Sequence, residues 1–315
     1  MPLTLNDIST AAQRIKPYIH RTPVLTNESL NRRTGAQVYL KCENLQKAGA
    51  FKFRGACNAV FSLGDDQVAD GVSTHSSGNH AQALALAAKL RGIPAYIVMP
   101  RNAPKVKKEA VAGYGGQITF CESTLEARES TLSKIAEETG SIVVHPSDNE
   151  WVIAGQGTAA LELLEEIPEL DMIIAPVGGG GLISGTAISA TCVQNGIRVI
   201  AAEPEMADDA HRSMQAGEIV PSTNPKTIAD GLLTSLGKIT FPIIQGRVEQ
   251  VITVSEPAII ESMKFIWERA KIIIEPSAAV AVAVLWEGKI DLSRLRVGVI
   301  LSGGNVDLEK LPWQN

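Results

Sequence analysis

The feature that most constrains this chain is a recurring order: an apolar, β-branched run, a loop rich in Gly and Ser, then a helical stretch. The clearest case is VSTHSSGNHAQALALAAKLRGIPAYIVMP, residues 72–100, which reads as strand, loop, helix closed by Gly92, and strand. Residues 172–204 repeat it with a four-glycine loop, and a third unit begins at VGVILSGGNVDL, residues 297–308. Strands this continuously apolar belong to parallel sheets buried on both faces and joined by helical crossovers. An apolar content of 45% with only 4% aromatics agrees with a layered α/β protein.

A chain of 315 residues is long enough for one large domain or two ordinary ones. Residues 70–146 carry their own alternation, with strands near 95–99, 117–120 and 141–144 and helices near 105–113 and 124–139. The flanks resemble one sheet interrupted by that insertion. The expected division is a small domain at 70–146 and a large one from 1–69 and 147–315, with 205–240 irregular.

A net charge of −5 argues against nucleic acid as a partner. No 18-residue apolar run is present and the start lacks the layout of a signal peptide, so a cytoplasmic protein without a membrane segment is expected. Cys42, Cys57, Cys121 and Cys192 have no CxxC spacing. They read as reduced, mostly buried thiols rather than a disulfide frame or zinc site.

Ligands of open parallel sheets sit beyond the carboxyl ends of the strands. Three loops there are unusually rich in Gly and Ser: Ser76-Ser77-Gly78-Asn79, Gly178 to Gly181, and Ser302-Gly303-Gly304-Asn305. Such loops turn backbone amides toward one point, and a following helix adds its positive dipole end. Together they imply one site with at least two anionic groups. A dinucleotide fingerprint fits poorly, because its third glycine is replaced by Ser184 or Ile183, although Glu203 stands where a ribose-binding acid would. A phosphate cradle fits better.

LQKAGAFKFRGACNAV, residues 45–60, leaves two readings open. Lys52 and Arg54 are ordinary surface cations on an amphipathic helix. Alternatively, Lys52 is held between Phe51 and Phe53, loses solvation, and becomes a nucleophile toward aldehydes.

Seven motifs, in order, resemble fold-type II pyridoxal-phosphate enzymes, within them the serine racemase and serine/threonine dehydratase group that includes threo-3-hydroxyaspartate ammonia-lyase. They are GAFKFRGA at 49–56, THSSGNHAQAL at 74–84, AGQGT at 154–158, VGGGGLISG at 177–185, AAEPEMADDA at 201–210, TIADG at 227–231 and VILSGGNVD at 299–307. The resemblance implies two open parallel-sheet domains of the tryptophan-synthase-β-like kind, with the cofactor in the cleft between them. It implies that Lys52 condenses with the cofactor aldehyde and then serves as base, and that Gly178, Gly179, Gly180, Gly181 and Leu182 hold the phosphate. Phe51 would pack on the ring, Asn79 would bond its phenolic oxygen, and Ser302 would face its nitrogen. Ser76, Ser77, Asn79 and His80 would bind the substrate carboxylate, with Arg128 as a second contact. Ser77, on the face opposite Lys52, would return a proton and so racemise.

The same resemblance makes Glu203, Asp209 and the Ala207 carbonyl a site for magnesium, manganese or calcium, since hard cations take oxygen ligands. Without it, these acids read as ordinary helix-start residues. It further implies a homodimer, with Gln82, Tyr114 and Asn305 contacting a nucleotide effector such as ATP. Two departures bear on the reaction. Ala48-Gly49-Ala50 stands where many relatives carry hydroxyls, and Ser147 follows His145-Pro146 where racemases often have an amide and dehydratases an aromatic. The end about ten residues after SGGN implies a short, catabolic enzyme without a regulatory domain. The expected reaction is dehydration and deamination of L-serine, L-threonine or threo-3-hydroxyaspartate, with serine racemisation as companion or rival. Cysteine-synthase-like replacement, or ligand sensing without catalysis, are the alternatives.

Overall fold

The computed structural model describes residues 2–314 apart from Ser77, Pro104 and the side chain of Val106. The chain begins with α1 (Leu5–Ile15), β1 (Val24–Thr26), α2 (Glu28–Thr34), β2 (Gln37–Cys42) and α3 (Lys52–Ser62). Next come β3 (Val72–His75), α4 (Asn79–Arg91), β4 (Ala95–Pro100), α5 (Lys105–Gly113), β5 (Gln117–Cys121), α6 (Leu125–Thr139) and β6 (Ile142–Val143). It continues through α7 (Glu150–Glu166), β7 (Met172–Pro176), α8 (Gly181–Val193), β8 (Arg198–Pro204), α9 (Asp209–Ala216), α10 (Thr240–Arg247) and β9 (Gln250–Val254). The last elements are α11 (Glu256–Phe265), α12 (Pro276–Ala283) and β10 (Arg296–Leu301).

Two sheets result, one of six strands in the order β1-β2-β10-β7-β8-β9 and one of four in the order β5-β4-β3-β6. The four-stranded sheet is parallel throughout and comes wholly from residues 72–143. In the larger sheet β2 pairs with β10, Val38 opposite Val297 and Leu40 opposite Val299, so chain from both flanks shares one sheet. These apolar strands are almost wholly buried, as two covered faces require. Helix α8 is buried over Gly181–Ala190, and a helix apolar all round belongs in a core. Burying one side chain such as Ile183 contributes about 2 kcal/mol, and Ile183→Ala would cost about 2–5 kcal/mol through the cavity left behind.

Three expectations need correction. The larger sheet is not wholly parallel, because the short edge strand β1 runs antiparallel to β2. The segment 205–240 is not irregular throughout: α9 forms where Glu203 and Ser213 satisfy its backbone and side-chain ends. No α-helix follows β10 among the described residues, so the SGGN loop has backbone amides but no helix dipole behind it.

Candidate active site

The three Gly/Ser loops converge around the first turn of α3. Phe51 N donates to Ser302 O at 2.9 Å, and Ala50 bridges Gly303, which fastens the SGGN loop beside Lys52. Lys52 Nζ donates to Pro146 O at 2.8 Å. The next residue, Ser147, is buried against Gly179 and Gly181, so residues 146–147 join the amine to the four-glycine loop. The third loop is tied in by Asn305, whose Nδ2 donates to Ala48 O at 2.7 Å and Asn79 Oδ1 at 3.0 Å.

Lys52 pairs with a carbonyl rather than a carboxylate, and its Nζ lies 5.1 Å from the Phe51 ring centre. Burial therefore pulls its pKa down to about 8, opposed only by the negative charge of Glu275. That is the environment of a lysine able to supply a neutral amine near neutral pH. Arg54, two residues on, is fully buried, which overturns its reading as a surface cation. It bonds Glu43 and Glu162 at 2.7–2.8 Å.

The glycine loop is held from outside. Gly180 has φ +87°, and a Cβ there would stand 2.7 Å from Thr240 Cβ. Thr240 Oγ1 donates to Gly179 O at 3.0 Å and accepts from Gly237 N at 2.8 Å. Asp148 accepts from the backbone N–H groups of Lys238, Ile239 and Thr240 at 3.1, 2.8 and 3.2 Å. Sequence reasoning missed this brace, whose parts are remote along the chain.

Of the residues expected at the substrate carboxylate, Ser77 lies outside the described residues. Ser76 and Asn79 stand half-buried at the N-terminus of α4. His80 is buried, its Nε2 is 3.2 Å from Val144 O, and burial first and then Lys52 hold its pKa well below the usual histidine value. Arg128 stands at the start of α6, its Nε buried without a partner among the described residues and one NH2 hydrogen on Ser123 O at 3.2 Å. Its charge acts on His75, at the end of β3. Of the residues expected at a nucleotide, Gln82 is buried in α4, Tyr114 packs against the small-sheet core, and Asn305 bonds Ala48 and Asn79.

Glu203 accepts from Ala210 N at 2.8 Å and His211 N at 2.9 Å, so it caps α9. Asp209 is 1% exposed and faces the Ser222 hydroxyl and the Leu236 backbone, yet no close hydrogen bond reaches either of its oxygens among the described residues. Burial pushes Glu203 up to about 8 and Asp209 up to about 6. Ala207 is buried on the connecting turn.

Residues 15–303 match the family described as "Pyridoxal-phosphate dependent enzyme". The chain belongs to this family. It is 52% identical over 310 residues to "beta-hydroxyaspartate dehydratase" of Paracoccus denitrificans (strain Pd 1222), covering 98% of both chains. It is 53% identical over 315 residues to "Serine racemase" of Dictyostelium discoideum, covering 98% of this chain and 97% of the relative. Its structure superposes on that of maize serine racemase with a TM-score of 0.96 and 47% identity, covering 98% of this chain and 95% of the other. The two parallel-sheet domains are those of fold-type II pyridoxal-phosphate enzymes.

The residues of this pyridoxal-phosphate enzyme fit their cofactor. A half-buried amine of lowered basicity suits an aldehyde, and a side-chain-free loop opening α8 suits a phosphate, since the first N–H groups of a helix lack intrahelical partners. No helix among the described residues is long and apolar enough to cross a membrane. Cys42, Cys57 and Cys121 are buried free thiols and Cys192 is exposed.

Proposed function

We propose that this enzyme removes water and ammonia from a small β-hydroxy amino acid, with L-threo-3-hydroxyaspartate, L-serine and L-threonine as candidate substrates. The observation that carries the reading is the Lys52 amine, free of any carboxylate partner, at the point where all three anion-accepting loops meet. The name of the Paracoccus relative, a dehydratase of beta-hydroxyaspartate, supports the loss of water.

When bound, pyridoxal phosphate supplies an aldehyde for the amine and a ring that withdraws electrons from the substrate α-carbon. Gly178 to Gly181 and Leu182 would hold its phosphate, Phe51 would flank its ring, Asn79 would face its phenolic oxygen and Ser302 its nitrogen. The loop from Ser76 to His80 receives the substrate carboxylate at the N-terminus of α4, with Arg128 as the further cation. Lys52 Nζ takes the α-proton; its pKa of about 8 leaves a useful neutral fraction near neutral pH. Ser77 is assigned the opposite face, where returning the proton racemises the substrate.

The buried Asp209 carboxylate, with Glu203 and the Ala207 carbonyl, would hold magnesium, manganese or calcium, which relieves two buried acids of their desolvation. A homodimer is supported by exposed Leu45 and Ile273 on adjoining loops, where Asn44 Nδ2 donates to Ile273 O at 2.9 Å. Gln82, Tyr114 and Asn305 remain the proposed contacts for a nucleotide effector such as ATP.

The test is keto-acid and D-serine release from the purified enzyme with each substrate, in magnesium or with chelator. Keto acid lowered by chelator identifies a cation-assisted dehydratase and its substrate. D-serine outpacing pyruvate makes racemisation the primary activity, the second reading that the Dictyostelium relative favours. Neither product from an enzyme carrying its cofactor overturns the proposed reaction.

A further inference from the structure

Glu275 is a buried acid that the chemistry above does not use. It is 3% exposed and precedes Pro276 at the start of α12. Its backbone N–H donates to Gly303 O at 3.0 Å, which places it against the SGGN loop. A Cβ on Gly303 would stand 2.5 Å from Glu275 Oε1, so the loop needs glycine there to admit the carboxyl. Oε1 accepts from Asn79 Nδ2 at 2.7 Å. Asn79 Oδ1 in turn accepts from Asn305 Nδ2 at 3.0 Å. The amide of Asn79, at the head of α4, is thereby gripped on both sides by residues of the six-stranded-sheet domain, one before α12 and one after β10.

We propose that Glu275 is a positioning residue of this site: its carboxyl group orients Asn79 and seats the N-terminus of α4 on the opposite domain. The inference rests on the roles given above to Asn79 and Lys52. Groups from three other elements face the carboxyl. Asp230, in the 3₁₀ turn Asp230–Leu232, opposes its ionisation, while Lys107 of α5 and Lys52 of α3 favour it. Lys107 also pairs with Asp230, which mutes both outer charges. Burial is the larger influence, and the acid titrates at about 8. It therefore carries its proton at pH 7 and gains a negative charge above 8. That charge makes Lys52 more basic as pH rises.

Glu275→Gln keeps an acceptor for Asn79 and cannot ionise, whereas Glu275→Ala removes both properties. With the holoenzyme at pH 6.5, E275A is expected to raise KM for the amino-acid substrate about tenfold more than it lowers kcat, and E275Q to restore KM to within about threefold of the parent. The visible absorption of the bound cofactor, followed from pH 6 to 10 without substrate, is expected to show a transition near pH 8 in the parent that E275Q lacks. E275Q behaving like E275A in KM, or titrating like the parent, overturns the inference. The absorption experiment needs no turnover, so a wrong substrate assignment leaves it decisive. If E275A does not fold, the comparison of E275Q with the parent still decides.

Discussion

Two cations on the first turn of α3, Arg54 fully buried and Lys52 half-buried, end in opposite settings. Arg54 sits in a closed quartet with Glu43, Glu162 and Lys41, whose Nζ donates to Glu162 at 2.6 Å and to Thr22 O at 2.7 Å. Two positive and two negative charges cancel, and the guanidinium forks match the carboxylates. Lys52, on the cleft side, is given only a carbonyl. A paired buried charge keeps its proton and holds chain segments together, while an unpaired one can give its proton up. The same helix thus carries an anchor and a reactive amine, separated by which face of α3 each occupies.

The largest effect that would break this contrast is at Lys52. Lys52→Ala is expected to abolish the cofactor's visible band and lower turnover at least about 10³-fold, while changing unfolding free energy by no more than about 1 kcal/mol. Absorption spectra, keto-acid assay and urea denaturation measure all three, and surviving turnover would remove Lys52 from the chemistry. Arg54→Met should do the reverse: a loss of about 3–5 kcal/mol in denaturation, because Glu43 and Glu162 are left buried with only Lys41. A loss below about 1 kcal/mol would mean the quartet anchors nothing.

The acidic pocket sharpens the comparison, since Asp209, like Lys52, has no salt-bridge partner among the described residues. For acids whose folded pKa is raised, stability is full below the unfolded value near 4 and is lost as pH rises through the folded values of about 6 and 8. A divalent cation should reverse that loss. Magnesium at about 100 times its dissociation constant is expected to add about 2–3 kcal/mol at pH 8, and far less at pH 5. Thermal melts with magnesium or chelator at both pH values check this, with Asp209→Asn expected to lose the response. Equal stabilisation at pH 5 and 8 would contradict it. The smallest effect should come from Thr240→Val, which removes the hydroxyl bonded to Gly179 and Gly237. Cofactor affinity, followed by absorbance, should fall about fivefold, and no change would show that the loop needs no brace.

Much of the fold is legible in the chain because its signals are local. The β-branched runs, Gly92 closing α4, and the glycine loop opening α8 each lie within one strand–loop–helix unit. The edge strand β1 was not legible, because three residues carry no directional signal. Nor was the missing helix after SGGN, where a strand and glycine loop alone resemble the start of a βα unit. Within the site, Lys52 could be singled out from its aromatic neighbours, but Arg54 carried the same local pattern and has the opposite fate.

By itself the sequence determined the order of βα units, the three loops able to receive anions, and the lysine standing among them. Only the tertiary structure decided which charges are paired, that Asp209 is buried away from any cation that could pair with it among the described residues, and that residues 79, 275 and 305 close on one amide. The physical reason is range. Hydrophobic period and turn chemistry act over a few residues, whereas desolvation and ion pairing depend on what the folded chain brings alongside.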